Sequence, residues 1–358
     1  GKLSFIIPDT FLFLHRHIRL RELLLTGTKI IEILIFPSNV FPNVQFGYSN
    51  LSIITIQREN NSDDALNHKL RLITGLKRKE DLDAVREGEL GRLDCRYLKQ
   101  RAVYSNLDHA FYLNTDKRIG EIINNTELKL GDLADCVTGI YVGDNKKFIK
   151  VKSSNVRNSR GYKVVQESEI DHDYIGRPSL LDGLPGAKVY IPIVKGSSTS
   201  RYLRKDYPWF VDWGVHAINS YTTNKKARFQ NSQFYFRKGI AVPMVKASNI
   251  RATLISGMVF DQSIVGVFPK DDNDILFLLG LLNSDIIRDI ITTINPSANN
   301  SANYIRKIPV VFPDEETFHE INGKVGDILG FMKLGDESSA LNTHKELNNI
   351  FNDLYLGL

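Results

Sequence analysis

The sequence predicts an α/β region that gives way to an α+β region: the tail end of an open α/β sheet, then a mostly β domain, then C-terminal helices. Three observations predict it. The first sixty residues set apolar strand patterns around one amphipathic helix. From about residue 130, short β-like runs are broken by Gly and Pro. Beyond residue 314, the apolar spacing becomes helical again.

The run Lys2-Leu3-Ser4-Phe5-Ile6-Ile7-Pro8 reads as a buried strand at the very start of the chain. A helix is expected over 10–25, capped by Asp9 or Thr10 and stopped at Gly27. Leu14, Ile18, Leu20, Leu24 and Leu25 form its apolar face, and Arg16, Arg19 and Arg21 a solvated one. Strands follow over 29–36 and 51–56. Strand, helix, strand is the pattern of a right-handed parallel crossover. The loop of about fifteen residues between the second and third strands is too short for another crossover helix, so that pair is expected to be antiparallel and to form the sheet edge. The pattern reads as the end of an α/β domain whose front half, usually the home of the catalytic equipment, is cut away.

Residues 57–92 are polar and charge-dense, which predicts a partly helical connector. A helix is expected over 112–124. The β-like runs include Val137 to Gly143, Ala187 to Ile193, Gly239 to Val242 and Gly257 to Phe260, and a largely apolar helix is expected over 275–291. The expected organisation is 1–58 as the sheet remnant, 59–128 as the connector, 129–313 as the β-rich domain and 314–358 as terminal helices. No internal repeat is visible.

With 42% hydrophobic and 24% charged residues, the 358-residue chain has ordinary globular composition. No apolar run approaches the ~18 residues of a spanning helix, and no secretory leader pattern is present. Two cysteines, Cys95 and Cys136, without metal-ligand spacing, point to a reduced, cytoplasmic setting without structural zinc.

The net charge of +5 is unevenly spread. Residues 195–251 hold eleven Lys or Arg against Asp206 and Asp212, a local excess of +9, together with ten aromatics. Such a concentration points to an anionic partner, most commonly nucleic acid. The phosphate loop, the dinucleotide fingerprint and the hydrolase and zinc-protease motifs are absent. Glu127-Leu128-Lys129 resembles half of a nuclease carboxylate–lysine motif but has no partner Asp at suitable spacing. Asp171-His172-Asp173 reads as a solvated turn rather than a metal site. Ligands of open α/β sheets sit beyond the carboxyl ends of parallel strands, which places the loop 38–50 at any site. There Phe41, in Val40-Phe41-Pro42, either stacks on a base swung out of DNA or packs on the sheet.

Several blocks together resemble a known family. Gly1 to Leu12 is similar to the segment after the catalytic motif of TaqI-like, amino-methylating adenine-N6 DNA methyltransferases. Leu130-Gly131-Asp132-Leu133-Ala134, with Thr138 to Ile149, resembles the start of their target-recognition domain. Leu278 to Ser284 and Ile305 to Val310 resemble later blocks, and Leu347 to Leu356 resembles the C-terminal helices of the type IIG restriction–modification and BREX phage-defence branches. The resemblance runs in order over nearly the whole chain and implies a class I methyltransferase sheet at the start. It also implies that S-adenosylmethionine serves the full-length enzyme without binding this chain. The upstream cofactor loop and the Asn-Pro-Pro-Tyr motif do not occur here, the one Asn-Pro being Asn295-Pro296 followed by Ser297-Ala298. Phe41 matches the family aromatic that stacks on the flipped adenine, although the stretch from Phe41 to Ser52 is longer than usual.

On this resemblance the chain is expected to bind double-stranded DNA and to present the target adenine to a catalytic half, in cis or as a separate subunit. By itself it is expected to be inactive. Candidate DNA contacts are Lys195, Arg201, Arg204, Lys205, Lys225, Lys226, Arg228, Lys246, Asn249, Arg251, Asn299, Asn300 and Asn303. Arg and Lys suit phosphates, and Arg and Asn also suit base edges. Trp209 and Trp213 are expected in the core. The alternatives are a specificity subunit that docks a methylating chain and a nuclease with an unrecognised site.

Overall fold

The computed structural model describes residues 1–40, 50–113, 116–177, 180–245, 250–297 and 299–357. The chain divides into two compact units. The first is Gly1–Glu127 with Ile290–Ala298, and the second is Leu128–Asp289 with Asn299–Leu358.

The first unit is built on a five-stranded mixed sheet. Its elements are β1 (Lys2–Pro8), α1 (Ile18–Gly27), β2 (Thr28–Phe36), β3 (Leu51–Arg58), α2 (Ser62–Asn67), β4 (Lys69–Thr74), α3 (Lys79–Glu87), β5 (Asp94–Lys99), α4 (Gln100–Tyr104) and α5 (Lys117–Asn125). The strand order is β1-β3-β2-β4-β5. The predicted antiparallel pairing of β2 with β3 is present, from Thr28 opposite Arg58 to Phe36 opposite Leu51. β3 is also antiparallel to β1, so β1 and β2 run parallel with β3 inserted between them.

Four expectations are corrected here. β1, expected as a buried strand, is an edge strand exposed over Lys2 to Ile6. The β2–β3 pair is not the edge, because β4 adds parallel to β2 and β5 antiparallel to β4. The charge-dense stretch is therefore not a mere connector. Half of its charges lie on α2 and α3, while Leu70, Leu72 and Ile73 of β4 are buried. The first helix begins at Ile18 rather than Thr10, with short 3-10 turns over Asp9–Leu12 and His15–His17. The reason is Arg21, expected on a solvated face but fully buried. Its guanidinium takes the carbonyls of Phe11 (2.8 Å) and Leu14 (2.9 Å), which steers that backbone off a helical path. The helix expected over 112–124 is α5, capped by Asp116, whose carboxylate accepts from the Arg118 N–H at 3.0 Å.

The second unit begins with α6 (Leu130–Leu133), β6 (Ala134–Thr138), α7 (Asn145–Phe148), β7 (Ile149–Val151), β8 (Lys163–Val164), β9 (Tyr190–Val194), β10 (Tyr202–Leu203) and β11 (Trp209–Asp212). It continues through α8 (Val215–Thr223), β12 (Gly239–Pro243), β13 (Thr253–Ile255), β14 (Val259–Phe260) and β15 (Ile264–Pro269). The strands form two sheets, β10-β13-β12-β15-β6 and β14-β9-β11-β7-β8. Where the chain leaves β6, Gly139 is required: a Cβ there would lie 2.0 Å from the Phe260 carbonyl oxygen. Trp213 is fully buried, with Phe236 at 5.6 Å, Phe229 at 5.9 Å and Tyr235 at 6.0 Å. Most aromatics of the basic window thus serve packing, as expected for both tryptophans.

The unit ends in α9 (Ile275–Asn283), α10 (Asp285–Ile294), α11 (Ala302–Ile305), α12 (Glu315–Leu334) and α13 (Glu337–Leu356), with α10 crossing into the first unit's residues. The single helix expected over 275–291 is divided at Ser284, whose ψ of 153° is extended. Buried Asn283 explains the stop: its amide donates to the Ala252 carbonyl at 3.0 Å and its oxygen accepts from the Ala252 N–H at 3.1 Å. α12 and α13 form an antiparallel hairpin turned at Gly335, φ 78°. They pack on α9, with Phe351 6.1 Å from Phe277 and Val325 beside Gly280, and so share its core rather than standing apart. Among the described residues no helix is long and apolar enough to cross a membrane.

Candidate nucleic-acid interface

The cations predicted from the 195–251 window fall into two groups. Lys195 is held 2.9 Å from Asp261, itself buried, and lies 5.9 Å from the Trp209 ring. Arg204 is buried and donates to the Gly196 carbonyl at 2.7 Å, and its desolvation lowers the guanidinium pKa. Arg251 donates to the Ser198 carbonyl at 3.2 Å. These three brace the turn at 195–200.

Arg201 and Lys205 reach the terminal helices instead. Arg201 donates to the His344 imidazole and stands 3.9 Å from Asp285, while Lys205 pairs with Glu337. Asn300 is buried, and its backbone N–H donates to the Met244 carbonyl at 2.8 Å. Lys195, Arg204, Arg251 and Asn300 are thus engaged within the fold and Arg201 is half-buried, whereas the Lys205–Glu337 pair is exposed. Lys225, Lys226, Arg228, Asn299 and Asn303 are exposed. Phe41, Lys246 and Asn249 lie outside the described residues.

Of this exposed group, Lys226 lines a surface groove of about 430 Å³. One wall is the Gly143-to-Phe148 segment and the other is Ser220, Asn224 and Lys226. Gly143 allows the walls to approach: its φ is +82°, and a Cβ there would meet the Ala227 nitrogen at 3.2 Å. Asp144 holds the first wall, accepting from the N–H groups of Lys146 (3.0 Å) and Lys147 (3.2 Å). Asn224 holds the second, accepting from the Lys226 N–H at 2.9 Å. The walls thus consume their own amides; the Lys146 ammonium lies 3.7 Å over the Tyr162 ring and donates to the Arg160 carbonyl, and the Lys147 ammonium lies 4.7 Å over the Phe148 ring. Lys146 and Lys147, which line the groove, lay outside the predicted window because it began too late. The signal was in the sequence: residues 145–165 hold seven Lys or Arg and no acid.

No hydrolytic arrangement accompanies the groove. Among the described residues no cluster of three or more His, Cys, Asp or Glu could hold a metal ion. Lys129 donates its N–H to Asp132 at 2.8 Å in a local cap, and Glu127 is exposed. Asp171 pairs with Arg177 at 2.7 Å and accepts from the Asp173 N–H at 3.0 Å; the expected solvated turn is corrected for it, since Asp171 is buried while His172 and Asp173 are exposed. Burial pushes the Cys136 thiol up to about 12, which leaves it a poor nucleophile.

No protein-family profile matches the chain, and no curated protein matches it either. Among solved structures, the type IIL restriction–modification enzyme MmeI in complex with DNA aligns over 99% of this chain and 47% of its own, at 13% identity and a TM-score of 0.57. A nuclease-deletion mutant of the type ISP restriction–modification enzyme LlaGI, in complex with a DNA substrate mimic, aligns over 92% and 35%, at 11% identity and a TM-score of 0.46. The type IIG restriction endonuclease BpuSI aligns over 99% and 47%, at 13% identity and a TM-score of 0.32. The chain spans about half the length of MmeI and shares the fold of that half. The predicted fold class, α/β then α+β with terminal helices, is the one observed.

Proposed function

We propose that this chain is the sequence-specific DNA-recognition portion of a restriction–modification protein whose complete form methylates adenine at N6. The observation that carries the reading is the shared course of 99% of the chain with a DNA-bound restriction–modification enzyme. The exposed cations around the groove support it, since duplex affinity comes chiefly from phosphate neutralisation. In this reading Lys147, Lys225, Lys226 and Arg228 meet the sugar–phosphate backbone. The internally paired cations of 195–205 shape the surface, and Phe41 stacks on the flipped adenine.

The residues present do not fit S-adenosylmethionine. The carboxyl end of β1 carries Asp9, buried and clamped to Asn50 by an N–H···O bond of 3.0 Å and a side-chain contact of 3.2 Å. A glycine-containing phosphate-type loop is absent there. In the proposed reading, cofactor binding and methyl transfer fall to a catalytic half, in cis or as a separate subunit. One feature favours that half as a docking partner, in cis or as a separate subunit. β1 is an edge strand, and its Leu3 (51%), Phe5 (49%) and Ile6 (56%) are exposed. Exposed apolar edges invite strand pairing unless covered.

The test is selection of random-sequence duplexes on the purified chain in moderate salt, followed by sequencing of the bound fraction. Enrichment of one short, adenine-containing word is expected. Absence of duplex binding at low salt would refute the reading.

A further inference from the structure

We infer that the loop 152–162, between β7 and β8, is the element that reads base edges, with Arg157, Arg160, Asn155 and Asn158 as its reading side chains. The inference rests on the DNA-recognition reading and goes beyond it by naming the specificity element, none of whose residues belongs to the predicted window.

Four observations carry it. The loop leaves the outer edge of the sheet β14-β9-β11-β7-β8 and presents those four residues exposed. It is preformed rather than slack. Ser159 is buried and its hydroxyl donates to the Ser154 carbonyl at 3.2 Å, the Ser159 N–H donates to the Val156 carbonyl at 3.1 Å, and the Tyr162 N–H donates to the Ser159 carbonyl at 2.9 Å. Its base is pinned: the Tyr162 ring packs edge-on against Trp209 at 5.0 Å, with the Lys146 ammonium 3.7 Å above it also donating to the Arg160 carbonyl. Finally, the side chains of Asn155, Arg157, Asn158 and Arg160 have no protein partner among the described residues, in contrast to Lys195, Arg201, Arg204 and Lys205.

The residue types suit the task. Arginine matches the paired acceptors of guanine and asparagine the donor–acceptor pair of adenine in the major groove. A preformed loop loses little conformational freedom on binding, so its contacts are not spent on ordering it. Lys152 and Lys163 flank the loop and supply phosphate contacts that locate it without reading sequence. Asn158 and Gly161, with φ of +62° and +80°, turn the chain back and aim the tip outward.

The experiment repeats the duplex selection on the full 358-residue chain and on variants, with thermal melting as the folding control. Arg157→Ala with Arg160→Ala is expected to erase the preference at one or more positions of the selected word. Affinity for that word is expected to fall at least tenfold, and affinity for scrambled duplex to fall far less. Arg157→Lys keeps the charge and is expected to retain scrambled-duplex binding while losing the preference. Asn158→Gly keeps the backbone turn and removes only the amide. Lys163→Ala is expected to weaken all duplexes alike. An unchanged word in every loop variant overturns the inference, as does an equal loss on selected and scrambled duplex. Binding by the parent chain without any preferred word overturns it too, and leaves duplex binding itself standing. No duplex binding by the folded parent chain overturns both.

Discussion

Arg21 and Asp108 lie 87 residues apart, yet the Asp108 carbonyl accepts from both Arg21 Nε (3.1 Å) and Nη2 (2.9 Å). The same guanidinium holds Phe11 and Leu14, so one buried cation ties the start of α1 to the turn after α4. Arg21→Met strips charge-assisted bonds from these carbonyls and should cost about 3 kcal/mol in urea unfolding. Asp108→Gly should cost far less, losing the carboxylate's 3.2 Å contact with His15 Nδ1. Asp108 has φ +57°, which glycine adopts freely, and the contact uses the carbonyl.

Asp9 should make the first unit more stable in mild acid. Burial raises its carboxyl from 3.8 to about 6. A folded pKa above the unfolded one means a contribution fully present below about pH 3.8 and lost as pH rises through about 6. Asp9→Asn should therefore stabilise the chain by on the order of 2 kcal/mol at pH 8. The advantage should shrink by pH 5, and urea unfolding at both pH values checks it.

His344 should act with the opposite sign in the second unit. Its Nε2 accepts from Arg201 and from the Asn348 amide at 3.1 Å, so Nδ1–H donates to the Tyr202 hydroxyl at 2.6 Å. Burial first, then Arg201, push its pKa from 6.5 to about 4, against a smaller opposing effect of Asp285. A depressed folded pKa means stability present above pH 6.5 and lost as pH falls toward 4. Relative to His344→Gln, the parent chain should lose on the order of 2 kcal/mol between pH 6.5 and 5.

Lys226→Ala and Arg228→Ala should each reduce the slope of duplex affinity against salt by about 1, with unchanged melting. Arg204→Ala should do the reverse, lowering the melting temperature through lost bonds to the 195–196 carbonyls. Fluorescence anisotropy across a salt series, beside thermal scans, separates the two classes.

These contrasts show what was legible in the chain. The β2–β3 pairing could be read because a short loop leaves one solution. β4 could not, because its six residues are embedded among the charges of α2 and α3. Arg21 sat on the polar side of the helical spacing, and the turn that buries it lies 87 residues away. The pairing of several cations in the window was hidden in the same way. The partners of Lys195, Lys205 and Arg201, namely Asp261, Glu337 and His344, are 66, 132 and 143 residues downstream, beyond any local charge count. The fold class survived because period and turn chemistry are local properties, whereas the pairing state of a charge is not.

The stack of Lys146, Tyr162 and Trp209 gives the chain a built-in optical reporter. The molecule has two indoles. Trp213 is sealed among aromatic rings, whereas Trp209 touches the base of the 152–162 loop. An excitation of both followed by a change in emission on ligand addition, abolished by Trp209→Phe and preserved in Trp213→Phe, would time events at that loop in solution without any attached dye.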